Sequence, residues 1–157
     1  MKNTEIEHKY LVSSVAYRTM ATAVHTIKQG YLCTDPDCTI RIRQKDDKAY
    51  ITVKSKPADN LSRFEWEKEI SLDDAQNLFP LCKTAMIEKE RYIVPWQELT
   101  IEIDEFHGEN EGLILAEIEL QTPNQIIPPL PDFIGQDVSH DARYYNSNLI
   151  NNPYKNW

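Results

Sequence analysis

The sequence predicts a mainly β (α+β) fold: an eight-stranded antiparallel β-barrel, closed on itself, with a few flanking helices. Three observations predict it. Eight short segments alternate charged and apolar residues, the period-two signature of strands with two unlike faces. Most of these segments are separated by short polar or proline-bearing joints, as in an antiparallel meander closing to a barrel. Only two stretches, both short, carry helix start signals.

The first strand is Thr4–Val12, with Ile6, Tyr10 and Val12 on one parity and Glu5, Glu7 and Lys9 on the other. Ser13 or Ser14 can cap a short helix running to about Val24, with Ala16, Met20, Ala21 and Ala23 available for packing. Residues 26–32 read as a second strand in which Gly30 marks a bulge or a close backbone approach. The Thr34–Cys38 segment, TDPDC, is a turn. Strands 39–44 and 49–55 flank Lys45–Lys48 and form a hairpin, with Arg41 and Arg43 on one face of the first and Thr52 and Lys54 on one face of the second. A loop at 56–60 leads to strand 63–70, where Glu65, Glu67 and Glu69 oppose Phe64, Trp66 and Ile70. Ser71 followed by Asp74 reads as a capping box for a helix ending near Phe79, because Pro80 disfavours helix at the residue before it. Strand 86–94 carries Lys89 and Arg91 on one face. Strand 99–106 sets Glu102 and Asp104 against Ile101 and Ile103, and strand 113–120 sets Glu117 and Glu119 against Ala116, Ile118 and Leu120. Beyond Gln121 the chain is proline-rich, with room for little more than a helical turn before Arg143, Tyr144 and Tyr145.

Composition bounds the function classes. The 157 residues form one domain, 1–157, with 41% hydrophobic and 27% charged residues. A net charge of −8 argues against nucleic acid and anionic membranes as partners. No apolar run reaches transmembrane length and the N-terminus lacks a signal-peptide core, so cytoplasmic residence is the expectation. Three cysteines without a CxxC pair support neither a disulfide framework nor a zinc site. The four histidines show no ligand spacing, there is no GxSxG-like or Walker signature, and only four glycines are present.

The charged parities can all be turned the same way. That face holds Glu5, Glu7, Glu65, Glu67, Glu69, Glu102, Asp104, Glu117 and Glu119 together with Lys9, Arg41, Arg43, Lys54, Lys89 and Arg91. One arrangement leaves it in solvent over a sheet whose apolar face is covered by helices. The other closes the sheet with the charged face inward, which requires water, metal ions and a polyanion, because a buried charge cannot stay unpaired. Carboxylate pairs suit hard divalent cations, arginine forks suit phosphate oxygens, and the mixture suits a metal–polyphosphate site.

The ordered motifs EIEHK, IKQGYL, RIRQ, TVKS, SRFEWEKEI, EKERY, IEIDEFHG, AEIEL and DARYYNSNL span nearly the whole chain and closely resemble the CYTH domain superfamily, the triphosphate tunnel metalloenzymes. The resemblance implies an eight-stranded tunnel with a charged lumen that binds a triphosphate with Mg²⁺ or Mn²⁺. It implies that Glu5, Glu7, Glu117 and Glu119, with Asp104, serve the metal. Lys9, Arg41, Arg43, Lys54, Lys89, Arg91 and Arg143 match the triphosphate-binding cations. Glu65 and Glu67 match lumen acids that help hold a second metal or the attacking water, Tyr31 matches a lumen tyrosine near the substrate, and Lys9, Glu65, Glu67 and Tyr31 form the catalytic set. Glu69 and Glu102 have weaker matches.

The chain resembles the short bacterial triphosphatases most, so the expected activity is metal-dependent hydrolysis of inorganic tripolyphosphate to pyrophosphate and phosphate. The partner is then a small anionic substrate, with no nucleic acid or membrane; a homodimer stays open. Thiamine or nucleoside triphosphatase, adenylyl cyclase, and a non-catalytic polyphosphate-binding module remain alternatives. A lumen lined by charge contradicts an apolar-ligand barrel.

Overall fold

The computed structural model describes residues 4–56, 62–83 and 85–157; the joint expected at Pro57–Asn60 lies outside them. The strands are β1 (Thr4–Val12), β2 (Ala23–Asp35), β3 (Cys38–Lys45), β4 (Lys48–Ser55), β5 (Ser62–Ile70), β6 (Ile87–Trp96), β7 (Leu99–Phe106), β8 (Ile114–Glu119) and β9 (Ile134–Asp137). Short helices α1 (Tyr17–Met20), α2 (Leu72–Leu78) and α3 (Asn146–Leu149) lie between or after them. Among the described residues, no helix is long and apolar enough to cross a membrane.

All pairings are antiparallel, in the order β5-β4-β3-β2-β6-β7-β8-β1. A short seam pairs Thr4–Ile6 of β1 with Phe64–Ser62 of β5 and closes eight strands into a barrel. The order departs from a continuous meander. Crossovers carrying α1 and α2 place β1 beside β8 and β6 beside β2, so the first strand becomes the keystone between the two halves. Past the seam, the free edge of β1 is covered by β9, where Tyr10 pairs with Asp137 and Val12 with Ile134. Nearby, the Lys9 N–H donates to Ser139 Oγ and the Val138 N–H to the Lys9 carbonyl.

Two expectations are corrected. The helix expected through Val24 is one turn, because Ala23–Ile27 pair instead with Ile93–Lys89 of β6, and cross-strand pairing outweighs the weak helical preference of Val24, His25 and Thr26. The proline-rich tail, expected to hold no strand, contains the four-residue strand Ile134–Asp137 that pairs with β1. The Ser71 cap is present: its Oγ accepts from the Asp74 N–H at 3.0 Å. Gly30 is required by close approach, since a Cβ there would lie 2.8 Å from Cys82 Sγ and 2.6 Å from Met86 Sδ.

Turning the charged parities inward leaves the apolar parities outside, and they are covered piecewise. Over β1, β6, β7 and β8, the residues Ile6, Tyr10, Val94, Ile101, Ile103, Ala116 and Ile118 are buried under Tyr17 of α1 and under Phe133, Leu130 and Ile127 of the tail. Over β3 and β4, α2 lays Ala75 against Ile42 and Ala49. Each fully buried isoleucine contributes about 1.5–3 kcal/mol relative to exposure. A third cluster lies on the inward parity at one end of the barrel. There Tyr31, Ile87, Phe106 and Leu115 pack with Tyr144 and Leu149 of the C-terminal segment and plug that end with apolar side chains.

One outward acid fixes the α1 cover. Glu105 of β7 accepts from the Tyr17 hydroxyl at 2.5 Å and from both Nε and a terminal nitrogen of Arg18 at 2.8 and 2.9 Å. Burial pushes this carboxyl up, but the hydrogen bonds from Arg18 and Tyr17 outweigh it, and its pKa lies below the ordinary value of 4.5. The stabilisation is therefore complete above that value and is lost as pH falls through the lowered pKa. Tyr17→Phe should cost about 1–2 kcal/mol in urea unfolding at pH 7. The difference from wild type should shrink below pH 4, and a constant difference down to pH 3 would contradict the pin.

Candidate active site

The lumen is assembled rung by rung from cross-strand neighbours. Glu7 stands opposite Glu119 and Lys9 opposite Glu117 on β1 and β8, Glu5 opposite Arg63 on the seam, and Lys54 opposite Glu65 on β4 and β5. Thr52 lies between Arg41 and Glu67, and Arg91 lies opposite Asp104. Among the described residues the cavity is lined by seven carboxylates (Glu5, Glu7, Glu65, Glu67, Glu102, Glu117, Glu119) and seven cations (Lys9, Arg41, Arg43, Lys54, Arg63, Lys89, Arg91). Equal numbers leave the lining near neutrality, but the two signs are not evenly mixed.

On the β1, β5 and β8 side the carboxylates dominate. Lys9 Nζ contacts Glu117 at 2.9 Å and Glu7 at 3.3 Å. Lys54 Nζ bridges Glu5 at 2.9 Å and Glu65 at 3.3 Å, and Arg63 Nε reaches Glu5 at 3.3 Å. Glu5 is buried, which alone would raise its pKa, yet Lys54 and Arg63 hold it far below the usual carboxylate range. Glu7 goes the other way: burial, then the neighbouring Glu117 and Glu5, push it up to about 8. Two carboxylates that share a site cannot both ionise cheaply, and of the pair it is Glu7 whose pKa rises, while Glu117 is held down by Lys9, Arg91 and Lys89 against its own burial.

On the β2, β3 and β6 side the cations are in excess. Arg91 is clamped by Asp104, with Nε to Oδ1 at 2.7 Å and a terminal nitrogen to Oδ2 at 2.9 Å, and Lys89 Nζ meets the same Oδ2 at 2.7 Å. Arg43 has no carboxylate partner among the described residues; its Nε donates to the side-chain oxygen of Gln29 at 2.9 Å. Burial, reinforced by Arg41 and Arg91, pushes the Arg43 guanidinium down to about 9. Burial pushes Lys89 down to about 7, with Arg91 and Arg43 adding to it against the attraction of Asp104. Arg41 donates to Thr52 at 3.1 Å, while among the described residues its buried Nε has no hydrogen-bond partner. A wall with a bare guanidinium N–H and two cations held below their ordinary pKa lacks an anion.

The CYTH domain sequence profile matches residues 3–145. This chain belongs to the CYTH domain family. It is 46% identical over 154 residues to the inorganic triphosphatase of Acetivibrio thermocellus, across 98% of this chain and 97% of that one. It is 34% identical over 152 residues to the inorganic triphosphatase of Nitrosomonas europaea, across 93% and 96%. A crystal structure of an inorganic triphosphatase matches the fold with a TM-score of 0.64 at 29% identity, covering 93% of both chains.

Most of the residues that the motifs single out meet in the CYTH lumen: Glu5, Glu7, Lys9, Tyr31, Arg41, Arg43, Lys54, Glu65, Glu67, Lys89, Arg91, Glu117 and Glu119 all line it. Asp104 sits behind the wall, fully buried, with both oxygens engaged by Arg91 and Lys89, so its place is that of a counter-ion to those cations. Arg143 is not brought in. Its exposed guanidinium is held by Asp141 at 2.7 Å and lies 5.0 Å from the Trp157 ring. Glu69 is exposed at the rim near Lys48, and Glu102 lines the cavity and contacts Arg91 at 3.2 Å.

Sequence reasoning missed Arg63, although it shares the parity of Glu65 and Glu67, and that parity was the available signal. It also missed Tyr145, Asn146 and Ser147, which come from the tail, where no strand period points them inward.

Raising pH through 7 to 8 should remove the proton first from Lys89 and then from Glu7, and both changes strip positive charge from the lumen. Metal-free affinity for tripolyphosphate, measured by calorimetry from pH 6 to 9, should fall accordingly. Lys89→Met should weaken binding at pH 6 by about tenfold or more and flatten the limb near pH 7. An unchanged pH dependence in that variant would remove Lys89 from the anion site.

Proposed function

We infer that this chain is a divalent-metal-dependent inorganic triphosphatase, using Mg²⁺ or Mn²⁺ to hydrolyse tripolyphosphate to pyrophosphate and phosphate. The observation that carries the reading is the divided lumen: a wall where cations are in excess faces a wall where carboxylates crowd together. The names of the two relatives, each similar over nearly its whole length, support the choice of substrate.

The donor set fits a hard divalent ion. Glu7 and Glu119, opposite each other, and Glu117 from the next rung offer carboxylate oxygens at a point where Glu117 and Glu5 repel charge on Glu7 and raise its pKa. Among the described residues no group of three or more His, Cys, Asp or Glu side chains is gathered as a metal cage, so the substrate's phosphates would have to complete the shell, as they do where Mg²⁺ is held by one or two carboxylates. When bound, the ion neutralises charge that grows on the phosphate oxygens as the terminal P–O bond breaks.

The protein's own part is positioning and electrostatics. Arg41, Arg43, Lys89 and Arg91 take the phosphate oxygens, while Lys54 on β4, between the walls, and Lys9, within the carboxylate wall, can meet charge on the departing pyrophosphate. Water must attack the terminal phosphorus and give up a proton. Glu65 suits that role: burial and the adjacent Glu5 raise it to about 7, and it lies in the lining beside Lys54. Glu67, hydrogen-bonded by Thr52 at 2.8 Å, orients Arg41. The three unpaired thiols, Cys33, Cys38 and Cys82, suit a reducing cytoplasm.

Phosphate release from tripolyphosphate, ATP and thiamine triphosphate, side by side with Mg²⁺, Mn²⁺ or chelator, is the test. The expected result is metal-dependent turnover that favours tripolyphosphate and stops with chelator. Glu7→Gln combined with Glu117→Gln should lower kcat by about a hundredfold or more while leaving the fold intact. Full tripolyphosphatase activity in that double variant, or a preference for ATP with cyclic product, would reassign the function.

A further inference from the structure

Two neutral amides tie the cationic wall to the C-terminal segment. Gln29, on the inward parity of β2, is fully buried. Its Oε1 accepts from Arg43 Nε at 2.9 Å, and its Nε2 donates to Asn146 Oδ1 at 3.1 Å. The same Asn146 oxygen accepts from Lys89 Nζ at 2.8 Å. The orientation of both amides is forced, because arginine and lysine are donors only. Arg43 requires the Gln29 oxygen, Lys89 requires the Asn146 oxygen, and the remaining Gln29 N–H₂ then faces that same oxygen.

Asn146 is accurately placed although it belongs to a single helical turn. Three residues on, Leu149 is fully buried in the apolar plug with Ile87, Phe106 and Leu115. The side chain of Asn148 donates to the Ala142 carbonyl at 2.8 Å and closes the loop before the turn. The plug therefore anchors the helix, and the helix presents one carboxamide oxygen at the lumen wall.

We propose that Gln29 and Asn146 are positioning residues for the triphosphate, a neutral amide relay that holds Arg43 and Lys89 in their anion-binding orientation without supplying a competing negative charge. The inference rests on the triphosphatase reading. A carboxylate at either position could hold the same cation, as Asp104 holds Arg91, but it would also cancel the charge that the substrate needs. An amide accepts the hydrogen bond and adds no negative charge beyond the single carboxylate, Asp104, that Lys89 and Arg91 already share, so these two places in the wall call for the neutral side chain.

Tripolyphosphate binding by calorimetry, in buffer with chelator so that nothing turns over, tests the relay. Gln29→Met should weaken binding about tenfold in the wild-type background and by much less in an Arg43→Met background, since Gln29 acts chiefly through Arg43. Asn146→Asp should bind more weakly than Asn146→Ala, although aspartate preserves the acceptor oxygen. A residue that merely supports the fold would give the opposite order, because the aspartate keeps the contact to Lys89 and the alanine loses it. Additive losses for Gln29 and Arg43, or Asn146→Asp binding as tightly as Asn146→Ala, would overturn the relay while leaving the triphosphatase assignment standing. A wild-type protein that binds no tripolyphosphate would overturn both. The Asn146 comparison holds even if Gln29→Met does not fold.

Discussion

The cost of enclosing charge governs this molecule. Once the barrel closes with its charged parities inward, every ionised group in the lumen must find a partner of opposite sign, a polar acceptor, or a ligand. The strand pairing meets much of that demand by itself, because the register sets Lys9 against Glu117, Lys54 against Glu65, Arg63 against Glu5 and Arg91 against Asp104. A slip of one residue in any strand would move those partners to the opposite face and bring apolar side chains into the lumen. Register, folding and site construction are thus one constraint, and the short seam between β1 and β5 is where it is completed.

What the pairing leaves unmet defines the chemistry. The Glu7 pKa is raised because acids crowd one corner, Arg41 has an N–H unanswered among the described residues, and Arg43 rests on an amide where a carboxylate would satisfy it more fully. The first deficit calls for a cation and the other two call for an anion. They lie on facing walls, so a polyphosphate with its metal ion would resolve both at once. A lumen balanced by complete pairing on each wall would be more stable unliganded and would have less reason to bind anything.

Much of this was legible in the sequence because strands convert spacing into direction. Glu5, Glu7 and Lys9 had to share a face whatever the tertiary fold, and so did Arg41 with Arg43 and Glu117 with Glu119. Period two alone left that face either wet or enclosed, and the ordered motifs of the family resolved the choice. Legibility ended where the strands did. Asn146 and Tyr145 reach the lumen from a short turn whose direction is set by Leu149 in the plug, and no local pattern encodes that packing. Arg143, in the same tail, was expected inside and lies outside, held by Asp141 two residues before it. Asp104 had the right parity and the wrong depth: alternation gives the face of a side chain, but not which neighbours consume its oxygens. The helix expected through Val24 stops short for a related reason, since Ala23 and Val24 pair with β6, which lies far along the chain.

The apolar parts complete the electrostatics. With the exterior faces of β1, β6, β7 and β8 dry beneath Tyr17 and Phe133, and one end of the barrel filled by Phe106, Leu115 and Leu149, the charged wall at that end borders low-dielectric material on two sides. Fields from Lys89 and Arg91 are screened less there than at an exposed surface, so each cation acts more strongly on a phosphate oxygen and is more costly to leave unpaired. The same burial depresses Lys89 and demands the precise acceptors that Asp104 and Asn146 supply. The tail that looks like a trailing remnant in sequence therefore acts as a structural part of the lumen: it excludes solvent from the end where the cations are most crowded and contributes the acceptor that keeps one of them aimed.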